Sequence, residues 1–421
     1  MKVFVIHMDG TALMPTNNRK ARVLLRDKKA KIVCYTPFTI QLLYPCGKAT
    51  QPINLGVDTG SKNIGIAVTT DKEVLYKGVI ELRQDVKENL KARRTLRRER
   101  RSRKTRHRAR KFLHRTRREG WLPPSIENRI DNHTFSWIDT FCEVLPKPQL
   151  TIEVGKFDIQ KIENPDIKGE EYQQGEMYEY RNRIGYLLAR ESGTCQYCHT
   201  KRESKNNWRL HHIWGKDYDR PEDWALLHLE CHVQLHANRE EHILQKVKPK
   251  SYKESTFMNI VRKRLFKAFP SAKFTYGNTT FQDRCELGLP KTHYNDAIAI
   301  TGIKTIERNC DEYVYIKQFR KKKRSLHESV PRKGRKAKNT TSKRNEKNKK
   351  SMKGICLNDK VRVFGNVGFV SGFDSSSVYV TDIHGEYITN PEKNYKQISV
   401  KNIEIIGHNN NWVSVIIREG A

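Results

Sequence analysis

Three acids stand in segments a folded chain could gather. Asp58 ends INLGVD (53–58), Glu153 lies inside LTIEVG (150–155) and Asp296 sits in HYNDAIAI (293–300). An Asp after a strand is more often a turn residue, but a Glu flanked by Ile152 and Val154 needs a partner. Converging carboxylates suit two hard cations ~3.5–4 Å apart, which activate water and steady the leaving oxygen in phosphodiester hydrolysis. Mg²⁺ prefers such ligands and keeps several of its own waters. His293 lies one helical turn before Asp296, faces the same way and could act as a base.

A second set is local. Cys195-Gln-Tyr-Cys198 and His228-Leu-Glu-Cys231 make C-x₂-C and H-x₂-C pairs. Together they form a tetrahedral zinc set that would hold a segment too short to build its own core. His199 or His236 could replace His228 as the fourth ligand. Between the pairs, the adjacent His211 and His212 on a strand point to opposite faces. One can bind metal while the other polarises a water, and His232 could return to the same metal.

These residues must be positioned by a mixed α/β fold. Strands are expected at 3–7, 31–35, 38–43 and 53–58, and the last leads into a three-strand meander. Further strands are expected at 150–155 and 274–277, and helices at about 175–191, 240–266 and 292–307. A short helix carries Ala21, Leu24 and Leu25 on one face. Residues 320–353 read as a low-complexity segment, disordered without a ligand. The alternation from Val361 to Ile417 predicts a small β-barrel.

Charge is concentrated in two places. Sixteen of the residues from Lys91 to Arg118 are Lys or Arg, with Glu99 the one acid. Lys317 to Lys353 holds 17 Lys or Arg and two acids. These blocks carry nearly all of the net charge of +34, which suits a nucleic-acid surface. Arg93, Arg94, Arg97, Arg98, Arg101, Arg106 and Arg110 surround the first helix on every side, as in a channel between nucleic-acid surfaces. No apolar run approaches the ~18 residues of a membrane span. MKVFVIHMDG lacks the length and cleavage site of a signal peptide. A cytoplasmic protein with no membrane partner is expected, and its nine cysteines are read as thiols and metal ligands rather than disulfides.

The ordered set of motifs resembles IscB, the transposon-encoded RNA-guided nuclease related to type II CRISPR effectors. INLGVDTGSKNIGIAV resembles the first RuvC motif, the Arg-rich segment the bridge helix, LTIEVG the second RuvC motif, and HYNDAIAI the third. The His/Cys segment resembles an HNH nuclease, and ALMPTNNRKARVLLRDKKAKIV the N-terminal segment named for Pro-Leu-Met-Pro. The resemblance implies an RNase-H-like RuvC core, split by the bridge helix and an HNH ββα-metal insert, with a C-terminal β-barrel. Its parts would be an N-terminal domain (1–50), RuvC segments (51–82, 121–192, 241–316), the bridge helix (83–120), the HNH insert (193–240), a basic linker (317–354) and the barrel (355–421).

It further implies a RuvC site of Asp58, Glu153, His293 and Asp296 with two Mg²⁺. At the HNH site, His212 would be the general base, with one Mg²⁺ on His211 and His232 and with Asp223 orienting the base. The structural zinc, a guide RNA of the omega type, duplex DNA as target and a monomeric protein in the ribonucleoprotein complete the expectation. HNH would cut the guide-paired strand and RuvC the displaced one. The barrel would read a flanking motif, with Lys360, Arg362, Lys393 and Lys396 on the backbone and Asn409 to Asn411 on base edges. The sequence departs from the family at Ala12, at His211 in place of Asp, at Asp223 in place of Asn and at His228 in place of Cys. No large recognition lobe fits between Gly120 and Gln149. A protein-guided homing-type HNH endonuclease and a non-catalytic RNA-binding transposon accessory are the other classes the residues allow.

Overall fold

The computed structural model describes residues 2–102, 120–169, 176–201, 207–215, 219–244, 252–319, 351–374, 376–391, 394–409 and 411–419. The chain divides into two units, Met1–Lys156 with Met258–Ala421, and Phe157–Phe257.

The larger unit begins with a four-stranded sheet, β1 (Val3–Ile6), β2 (Ala12–Thr16), β3 (Ala30–Tyr35) and β4 (Phe38–Leu42), in the order β2-β1-β4-β3. Helix α1 (Asn18–Arg26) starts where the Asn17 side chain accepts from Lys20 N, and it packs Ala21 and Leu24 on that sheet.

The core sheet has seven strands. β5 (Asn54–Thr59), β6 (Asn63–Thr69) and β7 (Val74–Glu81) form the antiparallel meander. Helix α2 (Val86–Ser102) follows. The stretch before Gln149 then forms α3 (Pro124–Arg129), a π-helical turn (Ile130–Phe135) and α4 (Ser136–Val144), whose Phe141 packs against Phe4 and Tyr76. Strand β8 (Gln149–Glu153) runs parallel to β5 and pairs Asp58 with Glu153.

In the Phe157–Phe257 unit, α5 (Ile159–Glu163) and α6 (Arg183–Arg190) precede the hairpin β9 (Trp208–His212) and β10 (Trp224–His228), then α7 (Leu229–Asn238). Trp208, Trp224, Leu226, Leu227, Leu235 and Leu187 form its core. The expected insert, 193–240, lies within this unit. The helix expected at 175–191 is confined to α6, which Asn182 caps through Gly185 N.

Helix α8 (Lys253–Ala268) leads on to β11 (Lys273–Thr275), α9 (Gly277–Glu286), α10 (His293–Ile300) and β12 (Glu312–Gln318). The core sheet order is β11-β8-β5-β6-β7-β12, closed at its edge by the C-terminal strand β20 (Trp412–Arg418). Helix α10 is shorter than the expected 292–307: it ends before Gly302, whose φ of +79° turns the chain out of the helix. It lies directly on β5 and β6. A Cβ on Gly65 would meet the His293 carbonyl at 1.9 Å, and one on Gly56 the Ala297 carbonyl at 2.1 Å. Only glycine at these positions lets the helix approach so closely.

The C-terminal region carries the short hairpin β13 (Ser351–Met352) and β14 (Ile355–Cys356), then β15 (Lys360–Val363), β16 (Asn366–Phe373), β17 (Ser377–Thr381), β18 (Gln397–Ser399) and β19 (Glu404–Gly407). The last five form a sheet ordered β18-β17-β16-β15-β19. Strand β20 (Trp412–Arg418) does not join it, contrary to the expected extent of the barrel. It pairs antiparallel with β12 along its whole length, Glu312 opposite Arg418 and Gln318 opposite Trp412. Alternation in the sequence reports a half-buried strand but not the sheet it enters. Among the described residues no helix is long and apolar enough to cross a membrane.

Candidate active sites

The larger unit gathers the predicted carboxylates. The register of β5 on β8 sets Asp58 beside Glu153, and Thr59 Oγ1 donates to the Glu153 carbonyl at 2.7 Å. Helix α10, capped by the Thr292 side chain through Asn295 N, brings His293 Nδ1 to 2.7 Å from Asp58 Oδ2. Asp296 is buried one turn further on. Burial and then the Asp58 charge hold the Glu153 carboxyl above its usual range, with Asp296 adding to the effect and a Thr280 hydrogen bond opposing it. The hydrogen bond to Asp58 raises His293 above an ordinary imidazole, against the desolvation that would lower it.

Two cations and one hydroxyl escaped the sequence reading. Lys291 Nζ stands 2.6 Å from Asp296 Oδ2, and Arg284 Nε 2.9 Å from Asp296 Oδ1. The Arg284 contact is an ion pair by distance but is not aligned as a hydrogen bond, so among the described residues the buried Asp296 Oδ1 has no hydrogen-bond donor. Arg284 and Thr280 lie on α9, a helix the sequence reading lacks, so their positions carried no signal. A buried acceptor without a donor, beside mutually repelling carboxylates, is an arrangement that a divalent cation would satisfy.

The smaller unit holds two ligand clusters. Ligand atoms of Cys195, Cys198, His228 and Cys231 all lie within 4.8 Å of one another, with Cys198 Sγ 3.4 Å from His228 Nδ1. Cys198 is brought to about 6, the Thr200 hydrogen bonds and neighbouring thiols outweighing burial, whereas burial pushes Cys231 up to about 12. Three thiols and an imidazole converging inside a small core fit a tetrahedral zinc. His228 occupies the fourth position, not His199 or His236.

His236 belongs to the other cluster. His211, His232 and His236 lie within 4.8 Å of one another by their ligand atoms. His211 comes from β9 and the other two from one face of α7, a turn apart. Burial first, then its two neighbours, lowers His211 to about 4, so it stays neutral, and among the described residues its buried Nε2 has no hydrogen-bond partner. A neutral imidazole with an orphaned nitrogen facing two others fits a transition metal better than Mg²⁺. Glu241 Oε1 lies 3.0 Å from His236 Nδ1 and fixes that ring. The i, i+4 spacing of His232 and His236 was the signal available in the sequence.

His212 points away from this cluster on the same strand. Its Nε2 lies 3.1 Å from Asp219 Oδ1, which also accepts from Trp224 Nε1 at 3.0 Å. Arg183 grips both Asp219 oxygens at 2.9 and 3.0 Å. Asp223, expected to orient His212, instead accepts from Trp214 N at 2.6 Å and is fully buried. The carboxylate within hydrogen-bond reach of His212 is therefore Asp219. Asp223 closes the turn after β9.

The basic residues divide. Arg93, Arg94 and Arg97 are exposed along α2. Arg98 and Arg101 lie on α2, but their side chains fall outside the described residues, as do Arg106 and Arg110 altogether. In the C-terminal region, Asn409 is buried and spends its amide on the Phe319 carbonyl and on Asn411 N, so it is not free to read a base edge. Lys360 Nζ donates to the Ser414 carbonyl at 2.6 Å, and Arg362 pairs with Glu404 on the exposed surface. Lys396 lies over the Tyr387 ring at 4.7 Å. Lys393 and Asn410 fall outside the described residues.

Residues 3–175 match the model of a family described as RRXRR protein. The pattern in that name stands in α2 as Arg97-Arg98-Glu99-Arg100-Arg101. No curated protein matches the chain. Among solved structures, the chain is similar to Streptococcus thermophilus Cas9 in complex with AGGA PAM. That similarity is 12% in identity, with a TM-score of 0.26, over 42% of this chain and 26% of that one. The chain thus spans about a quarter of that protein, and the superposition is too loose to define a shared fold.

Proposed function

We propose that this protein is an RNA-guided DNA endonuclease of the IscB kind, with a RuvC-type site in the larger unit and an HNH-type site in the smaller one. The observation that carries the reading is the pairing of Asp58 with Glu153 by strand register, under a helix that adds His293 and Asp296. The RRXRR match over 3–175 and the exposed arginines of α2 support a nucleic-acid partner in the same chain.

Asp58, Glu153 and Asp296 would hold Mg²⁺, which when bound supplies water activation and charge stabilisation on the leaving oxygen. His293, with its proton held against Asp58, can relay a proton at the site. In the smaller unit His211, His232 and His236 would hold the metal, and Cys195, Cys198, His228 and Cys231 the zinc. Asp219 holds His212 at Nε2, so its other nitrogen, Nδ1, is the one that can take a proton from water. In this reading the smaller unit cuts the guide-paired strand and the larger unit the displaced strand. Base pairing supplies sequence, and the C-terminal region meets duplex DNA beside it.

The test is RNA dependence. Protein reconstituted with its guide should cut duplex DNA at a site that moves when the guide is changed, and neutralising Arg93, Arg94, Arg97 and Arg98 together should impair both cuts. Sequence-specific cutting by RNA-free protein would instead favour the homing-type class. Guide binding without any cutting by intact protein would favour the accessory class.

A further inference from the structure

Asp296 is matched by two cations held in different ways. Arg284 is almost wholly buried, donates through Nη1 to the Leu289 carbonyl at 2.9 Å, and lies with its guanidinium 5.4 Å from the Phe281 ring centre. It cannot leave without breaking those contacts. Lys291 reaches Asp296 Oδ2 from the segment just before α10, and its side chain is 75% exposed. Among the described residues its ammonium is anchored by that carboxylate, and its exposed stem can swing into water.

We infer that Arg284 is a fixed counter-charge for Asp296, whereas Lys291 is a displaceable one that occupies the cation position of the carboxylate site until a divalent ion and a nucleic-acid phosphate arrive. This rests on the nuclease reading above.

The physical argument is one of charge balance. Asp58, Glu153 and Asp296 are gathered close enough that Glu153 responds to both aspartates. An ammonium on Asp296 Oδ2 lowers that repulsion and competes with any ion that needs the same oxygen. The ammonium stands in water although its carboxylate is buried, and solvent screening on that side leaves the competition weak enough for a divalent ion to win. Once released, the same flexible ammonium lies within a side chain's reach of the site, where a phosphodiester brings the next negative charge. Arg284 stays and keeps Asp296 oriented throughout.

Mn²⁺ binding to the full-length protein without nucleic acid separates the ideas, in a His232→Ala, His236→Ala background that removes the three-histidine site. Lys291→Met should bind Mn²⁺ about two- to fivefold more tightly, the range set by losing one solvent-screened ammonium that competes for the same oxygen. With guide and DNA, and saturating metal, the same variant should cut the displaced strand at least ~10-fold more slowly, and Lys291→Arg should restore most of that loss. The two effects have opposite signs, which a merely structural lysine would not produce. Weaker Mn²⁺ binding by Lys291→Met, or unchanged binding while Asp58→Asn abolishes it, overturns this inference alone. Binding that Asp58→Asn does not alter shows that the carboxylates hold no metal, and both this inference and the nuclease reading of the larger unit fall.

Discussion

The carboxylate site and the His/Cys clusters are assembled by opposite routes. In the smaller unit every prospective zinc ligand comes from a pair three residues apart, and the unit closes around Cys195 and Cys231 as part of its core. In the larger unit Asp58, Glu153 and Asp296 come from distant segments and meet only because β5, β8 and α10 stack in one register. The first kind of site supports the fold around it; the second is supported by the fold. Losing a ligand should therefore unfold one unit and leave the other standing.

The largest effect sharpens that contrast. Cys195→Ser should strip zinc from the smaller unit and unfold it, because metal binding there is folding free energy, ~10–16 kcal/mol in small zinc domains. Asp58→Asn should leave the thermal transition of the larger unit in place. Metal analysis with calorimetry on the full chain reads both. A zinc-free protein with an unchanged smaller-unit transition would break the comparison.

The larger unit has its own point of weakness, in packing rather than in ligands. Gly65→Ala puts a Cβ against the His293 carbonyl and should cost about 3 kcal/mol or more, above the usual overpacking range because the obstacle is backbone. Denaturant unfolding measures it. A neutral substitution would mean that α10 is not seated on β6 as described.

A smaller effect distinguishes two aspartates. Asp219→Asn should slow cutting by the smaller unit about 10–100-fold, since it loses the charged partner of His212. Asp223→Asn should act through stability, because its contact is Trp214 N. A reversal of these two outcomes would restore Asp223 as the orienting residue.

The smallest concerns pH. His293 has its folded value raised by Asp58, so its contribution to stability is full below the unfolded value near 6.5 and is lost as pH rises through the raised folded value. Metal-free protein should lose a little stability over that window, and His293→Asn should flatten the loss. An equal slope in the variant would place the titration elsewhere.

What the sequence disclosed follows the same division. Local spacing made the His/Cys cluster and the His211–His212 pair legible, since ligands three residues apart leave their pattern in the chain. The acids were legible as charges in apolar segments. Lys291, Arg284 and Thr280 were not, because they act from α9 and the segment before α10 and are ordinary surface residues in the sequence. Asp219 was hidden among the other acids between Asp217 and Asp223, where only the fold shows which one faces His212. Strand β20 was misassigned because alternation does not name a partner strand. Asn409 looked available because burial of a polar loop residue has no local signature.

The most direct measurement is strand-resolved cleavage of one guide-matched duplex, each strand labelled separately, by intact protein, Asp58→Ala and His212→Ala under conditions where DNA remains bound. The account predicts that intact protein cuts both strands, that Asp58→Ala retains only the guide-paired cut, and that His212→Ala retains only the displaced-strand cut, each lost cut falling by orders of magnitude. Loss of both cuts from either single substitution, or of neither, would contradict two separate sites in one chain.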